Sequence, residues 1–441
     1  MASLTSPPRV PIPANGVDYR GKVVLAPMVR SGELPSRLLA LKYGADLVWG
    51  PETVDRSLIG ATRRINPRNG TIEYTRLPSN GGRPEKATQE SVIYRIDPVR
   101  EKGKLIFQIG TASPELAVQA AKVVAADVAG IDVNSGCPKP FSTSGGMGAA
   151  LLRTPDKLVS ILEALVREVG NPYQIGISVK IRLLETPELT ESLVTRLCAT
   201  GITGLTVHCR TTPMRPRERA IRDQLRMIGE VCRKAGVACV MNGDVTSRDE
   251  GLALMKEYNV DGAMIATAAE ANPSCFRTAA EGGLLPWREV VHDYMEACLQ
   301  CENRWGNTKY LLNMMIPGKN KEFKDAKSAK NYTDACRLLQ FDDLLPTAKE
   351  VDKVMGLDKR STISSDDEVR PSAVQNAMEN NESARAAGGL SRPKQNPPVA
   401  SGSGPIRTSS IPSPAPKPNP ETGVDLSAST SLPQQDAGVA V

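Results

Sequence analysis

Short β-branched apolar runs alternate with helical patterns between positions 23 and 268. The runs are VVLAPM (23–28), LVWGP (47–51), LIFQIG (105–110), GIDVNSG (130–136), ISVKIRL (177–183), GLTVHCR (204–210), VACVMNGD (237–244) and GAMIATA (262–268). Between them lie amphipathic stretches such as PELAVQAAKVVAAD, TPDKLVSILEALVREV, LTESLVTRLCAT, RDQLRMIGEVCRKAG and SRDEGLALMKEY, several opened by Ser/Thr-Pro or Ser-x-Asp cap signals. Buried strands alternating with helices predict an α/β fold. Eight units favour a closed TIM (β/α)8 barrel over an open doubly wound sheet.

The spacing is uneven at one place. Between LVWGP and LIFQIG, RRINPRNGTIEYTRLPSNGG carries Asn-Gly and Gly-Gly turns between β-rich runs, which predicts an insertion at about 60–100, a hairpin laid over one end of the barrel. After Pro273 the pattern is purely helical. The predicted organisation is an N-terminal extension (1–19), a barrel (20–285), a small helical domain (286–352) and a disordered Pro/Ser-rich tail (357–441). The tail holds SSDDE, PPVASGSGP and PSPAPKPNP, and no aromatic residue follows Phe341.

Charge sharpens this division. The 441 residues carry 55 Lys+Arg against 49 Asp+Glu, a formal +6. The segment 357–441 has 8 basic and 9 acidic residues, so the remainder carries +7, compatible with an anionic partner. No run of about 18 apolar residues is present, so no transmembrane helix and no membrane partner are expected. The start, MASLTSPPRVPIPANG, lacks the apolar core of a secretory signal and the Arg-rich pattern of a transit peptide. Nine scattered Cys fit free thiols in a reducing compartment, expected to be the cytoplasm and also the nucleus. Two His leave little room for a His-rich metal site, and none is expected.

Chemistry in such a barrel sits at the C-terminal ends of the strands. Strand one ends in Ala26-Pro27-Met28-Val29, three in Gln108, four in Asn134 followed by Cys137, five in Lys180 and Arg182, six in His208 and Arg210, seven in Asn242-Gly243-Asp244. Any one of them reads more readily as a loop hydrogen bond or a cap; six of eight strands so ended point to a shared ligand. The Asn242-Gly243-Asp244 turn and the end of GAMIATA offer backbone N–H groups where barrels hold phosphate. Lys180 would stabilise the negative charge of a reduced flavin, and Gln108 could hydrogen-bond its ring. No G-x-G-x-x-G follows a strand, so FMN is expected rather than a dinucleotide.

Cys137 stands in NSGCPKP, where Gly and Pro place it on a loop at the mouth; a cysteine is more often a small buried hydrophobe. The SGGMG that follows reads as a flexible stretch able to shape a lid. Cys298 and Cys301, near Cys336 and His292, mimic a metal spacing but read as the apolar face of a helix.

These motifs resemble the tRNA-dihydrouridine synthases, specifically the eukaryotic type that modifies position 20. LAPMVRSGELPSRLLALKYGAD, FQIG, GIDVNSGCPKPFSTSGGMGAALL, VKIR, TVHCR, NGD and NTKY carry the resemblance, over roughly 20–345. It implies an FMN-bound TIM barrel, a helical domain that helps hold tRNA, and NADPH as reductant. It places Pro27, Met28, Val29, Gln108, Lys180, His208, Asn242, Gly243 and Asp244 on FMN, Ala266 and Thr267 near its phosphate, Asn134 beside flavin and base, and Cys137 as the acid. The strand-eight end departs from the family: Ala266-Thr267 stands where Gly-Arg or Ala-Arg is usual, so a cationic contact is missing. Arg30, Arg210, Arg215, Arg217, Arg219, Lys319, Lys321, Lys324, Lys327 and Lys330 are candidate phosphate contacts. The chain is expected to act as a monomer. Two alternatives remain: a flavin reductase of a free pyrimidine, and a tRNA-binding protein without turnover.

Overall fold

Strand formation follows the apolar runs. The computed structural model describes residues 9–77, 90–215 and 217–358. Eight parallel strands make the barrel wall: β1 Lys22–Leu25, β2 Val48–Trp49, β3 Leu105–Gly110, β4 Gly130–Ser135, β5 Gly176–Leu183, β6 Gly204–Thr211, β7 Ala238–Asn242 and β8 Gly262–Ile265, with a two-residue strand, Thr53–Val54, also parallel to the end of β3. Each pairs with the next, and β8 returns to β1 with Lys22 opposite Gly262 and Leu25 opposite Ile265, which closes the barrel. The eight expected strands are thus all present, and the TIM barrel is the fold.

Alternation along each strand divides the barrel wall. Val23, Leu25, Val48, Phe107, Ile131, Val179 and Met241 belong to the layer beneath the helices. Val24, Ala26, Trp49, Ile106, Val240 and Met264 form a separate interior cluster with Tyr19, a residue of the N-terminal segment. Tyr19 plugs the base: a Cβ on Gly204 would stand 2.5 Å from its ring, so only glycine fits there. The helices after the strands are α1 Leu34–Lys42, α2 Asp55–Leu58, α3 Pro114–Val124, α4 Pro155–Leu165, α5 Pro187–Cys198, α6 Leu225–Ala235, α7 Arg248–Tyr258 and α8 Thr267–Ala271. Ser113, Thr186 and Ser247 accept N-cap hydrogen bonds at α3, α5 and α7, as their positions in the sequence suggest.

The inserted segment forms three antiparallel strands, Thr62–Ile65, Ile72–Arg76 and Ser91–Ile96. It does not lie over an end of the barrel. Because α2 is a single turn, the outer face of β3 needs other cover, and Tyr94 of the third strand packs edge-on against Phe107 at 4.8 Å. Arg37 of α1 anchors this sheet through a buried pair with Glu101 (2.6 Å) and a bond to the Arg95 carbonyl.

Five helices follow: α9 Trp287–Gln300, α10 Trp305–Met315, α11 Lys321–Ser328, α12 Tyr332–Leu339 and α13 Leu345–Val354. Cys298, Cys301 and Cys336 are buried among them. Thr308 and Tyr332 share a buried hydrogen bond at 2.8 Å, and Tyr332 donates to the Asn303 carbonyl. Leu357, placed at the start of the expected tail, is buried and its N–H bonds the Asp352 carbonyl, so order reaches at least Asp358. The rest of that segment, 359–441, lies outside the described residues.

Candidate active site at the mouth of the barrel

β4 leads into the loop that carries Cys137. Asp132 and Asn134, two residues apart, both face inward, and beyond Asn134 the chain turns back over its side chain. The Asn134 amide oxygen accepts from the N–H groups of Gly136 (3.0 Å) and Cys137 (3.1 Å), a local turn that Asn favours. Arg182 of β5 straps the same turn, donating to the carbonyls of Gly136 (2.8 Å) and Thr211 (2.9 Å). The Cys137 carbonyl accepts from Ala149, and Gly148 (φ +57°) passes so close that a Cβ would stand 2.6 Å from it. Within SGGMG, Met147 and Gly148 are buried against the Cys137 loop, while Ser144 and Gly145 are exposed.

Of nine cysteines only Cys137 is partly exposed. Burial, then the charge of Glu52, pushes its thiol up to about 11. Glu52 escaped sequence analysis. It follows Gly50-Pro51 beyond β2, accepts from Ser142 of the Cys137 loop at 3.3 Å, and its second carboxylate oxygen is buried without a hydrogen bond. Burial raises its pKa to about 7. A strand end reading Gly-Pro-Glu was the only available signal.

Below and beside the thiol lies a polar layer. The register sets Gln108, Asp132 and Ser178 opposite one another on β3, β4 and β5. Gln108 donates to one Asp132 oxygen at 2.8 Å and Ser178 to the other at 2.7 Å. Lys180 faces Asn134 in register; burial, aided by Arg182, draws its pKa down to about 8, and Asp132 draws it back. It remains largely a cation at neutral pH.

His208 is fixed as a neutral ring. Arg210 can only donate, so its 3.1 Å approach to Nε2 makes that nitrogen an acceptor and leaves the proton on Nδ1. Burial and the cations Lys180, Arg182 and Arg210 push the His208 pKa down to about 2. Arg210 itself corrects an expectation. It is buried, donating to the Glu218 carbonyl (2.7 Å) and to Asp244 (2.5 Å), and so braces the site rather than reaching RNA phosphate.

The Asn242-Gly243-Asp244 turn needs its glycine, since φ is +118° at Gly243. Asn242 donates to the Met264 carbonyl (3.0 Å), tying β7 to β8. The Asp244 carboxylate is engaged by Arg210 and the Ala220 N–H (2.7 Å), so the turn can offer a ligand its backbone rather than that carboxylate. After β8 the chain enters α8 at once, with Ala266 half-buried and Thr267 exposed. Pro27, Met28 and Val29 follow β1 at the same rim, where the Met28 carbonyl accepts from Gly32 at 2.7 Å. Arg30, at φ +71°, lies over the Tyr310 ring of α10 at 4.4 Å.

The remaining basic candidates are exposed: Arg215, Arg217 and Arg219 beyond β6, and Lys319, Lys321, Lys324, Lys327 and Lys330 on and around α11. From Lys321 the lysines recur every third residue. An ammonium, an imidazole N–H and backbone N–H groups at the mouth, with the Gln108 amide beside them, fit a ring that gains negative charge on reduction and carries a phosphate.

The dihydrouridine synthase (Dus) family model matches residues 24–340. A tRNA-dihydrouridine(20) synthase (NAD(P)+) of Schizosaccharomyces pombe is 49% identical over 353 residues, 79% of this chain and 71% of that protein. The protein of the same name from Saccharomyces cerevisiae is 48% identical over 70% of this chain and 80% of its own length. A human tRNA-dihydrouridine(20a/20b) synthase-like protein is 28% identical over 63% of this chain and 76% of its own. On the family match and on the two relatives at nearly half identity, the chain belongs to the dihydrouridine synthase family.

Proposed function

We propose that this protein reduces the C5=C6 bond of a uridine in the D loop of tRNA, at position 20, with FMN as bound cofactor and NADPH as reductant. Family membership and the names of the two yeast relatives at nearly half identity support the reaction and the position. The observation that carries the mechanism is Cys137, the one partly exposed thiol, held on a strapped turn within the field of Lys180.

FMN at the mouth would supply, once reduced, a hydride to C6 of the uracil. That bond is conjugated with the C4 carbonyl, so the base acquires enolate character and needs a proton at C5. Cys137 is suited to give it, because its raised pKa keeps the thiol protonated at neutral pH. Lys180 offsets negative charge developing at the ring edge. Gln108, His208 through Nδ1, Asn242, and the backbone of Pro27 to Val29, Gly243, Asp244, Ala266 and Thr267 would hold the cofactor. The target base must leave its stack to enter the mouth. The α11 lysines and Arg215, Arg217 and Arg219 would hold the tRNA through its phosphates.

Cys137→Ala is expected to retain bound flavin and to oxidise NADPH normally while product formation falls about 10²–10⁴-fold, the range for loss of a general acid. Wild-type yield of dihydrouridine in mapped tRNA would refute the acid assignment. Equal turnover of free uridine and tRNA would favour a small-molecule reductase, and protein purified without flavin absorbance would favour a non-catalytic RNA binder.

A further inference from the structure

The interior of the barrel holds a carboxylate that the mechanism above does not use. Asp132 is fully buried, between the apolar plug formed by Tyr19 and the polar mouth. Its two oxygens are each taken by a neighbour placed opposite it by strand register, Gln108 on one side (2.8 Å) and Ser178 on the other (2.7 Å). Lys180, one inward position further along β5 from Ser178, is the cation that feels its charge. We infer that Asp132 is a positioning residue that fixes which end of the Gln108 amide faces the cofactor, so that Gln108 presents its carbonyl oxygen and reads an N–H donor on the flavin ring.

The reasoning is one of donor and acceptor chemistry. A carboxylate can only accept, and the Asp132 oxygen nearest Gln108 is therefore matched to the amide nitrogen. Turning the amide over would set its oxygen against that carboxylate oxygen in a buried site, where an unmade hydrogen bond is costly. Ser178 saturates the second oxygen and holds the carboxylate in place. One of the two N–H groups on the Gln108 nitrogen is thereby taken, and the amide oxygen, turned away from the carboxylate, is the acceptor left for a ligand. An oxidised isoalloxazine ring carries a single N–H, at N3, while N1, N5, O2 and O4 all accept. An oxygen on Gln108 thus selects N3–H, and Lys180 remains for the acceptor edge. The inference deepens the FMN reading and rests on it.

The test uses the full-length flavoprotein and the resonance Raman band of the N3–H bend, identified by its shift in D2O. Wild type is expected to show the band displaced by a protein acceptor at N3. Asp132→Leu removes the anchor and is expected to return the band to the position of flavin without such an acceptor, with the dissociation constant for FMN rising about tenfold, as for one ordinary hydrogen bond removed. Gln108→Leu is expected to do the same. Asp132→Asn satisfies either orientation of the amide and is expected to weaken the band, which keeps the proposal decidable should the leucine variant fail to fold. A wild-type band in folded, flavin-loaded Asp132→Leu, or an unaltered band in Asp132→Asn where leucine is not tolerated, overturns the role of Asp132. A wild-type protein that binds no flavin would instead overturn the function proposed above.

Discussion

Proton donation by Cys137 requires a thiol that stays protonated where most surface thiols begin to ionise, and this can be measured without substrate. Burial moves its pKa from the ordinary range near 9 to about 11, and the Glu52 carboxylate adds to the shift. At pH 8.5 an ordinary thiol is about one-quarter thiolate, whereas one titrating near 11 is about 0.3% thiolate, so ionisation alone slows alkylation roughly 80-fold. The assay is iodoacetamide labelling across a pH series, followed on the peptide that contains Cys137. The other eight cysteines are buried, so this peptide is expected to label first in the folded protein. Glu52→Gln keeps an oxygen for Ser142 to donate to and removes only the charge; its labelling midpoint is expected to move down from that of wild type. A wild-type midpoint at or below 9, or no downward movement in Glu52→Gln, would refute the reasoning.

Glu52 also sets a stability trend. Its folded pKa is raised to about 7, above its ordinary value, so its contribution is fully present below about pH 4.5 and is lost as pH rises through 7. In urea denaturation Glu52→Gln is expected to gain on wild type between pH 5 and 8, by up to about 3 kcal/mol; a constant difference across that range would contradict it. Combined Lys321→Ala, Lys324→Ala and Lys327→Ala should leave flavin content intact, weaken tRNA binding, and reduce the slope of log affinity against log salt by about one for each lysine that had met a phosphate. Arg210→Ala should leave that salt slope unchanged, destabilise the fold by about 1–3 kcal/mol through removal of partly buried hydrogen bonds to the Glu218 carbonyl and Asp244, and lower flavin affinity, measured by denaturation and flavin titration.

The barrel was legible because it is written locally. Each strand needs a short apolar run and each helix a period and a cap, and Ser113, Thr186 and Ser247 cap where the pattern places them. The site was legible at the strand ends for a related reason: a buried parallel strand has no cause to carry a polar residue such as Gln108, Lys180 or His208 unless something at the mouth uses it. The inserted segment was readable as β-rich but not in its placement, since that depended on α2 ending after one turn and leaving Phe107 to be covered.

What the sequence alone determined was the closed α/β barrel, the loop bearing Cys137, and the family to which those motifs belong. Tertiary structure decided how the charges are employed. Arg210 looks in sequence like any basic residue beyond a strand, yet it is buried against His208 and Asp244; Asp132 looks like a strand interior residue, yet it holds Gln108; Glu52 looks like a loop carboxylate, yet it shares its burial with the Cys137 loop. Apolar periodicity is a property of neighbouring positions and survives in one dimension. Whether a charged group meets water, a counter-charge or an amide depends on what other strands bring to the same point, and that is decided only when the barrel closes.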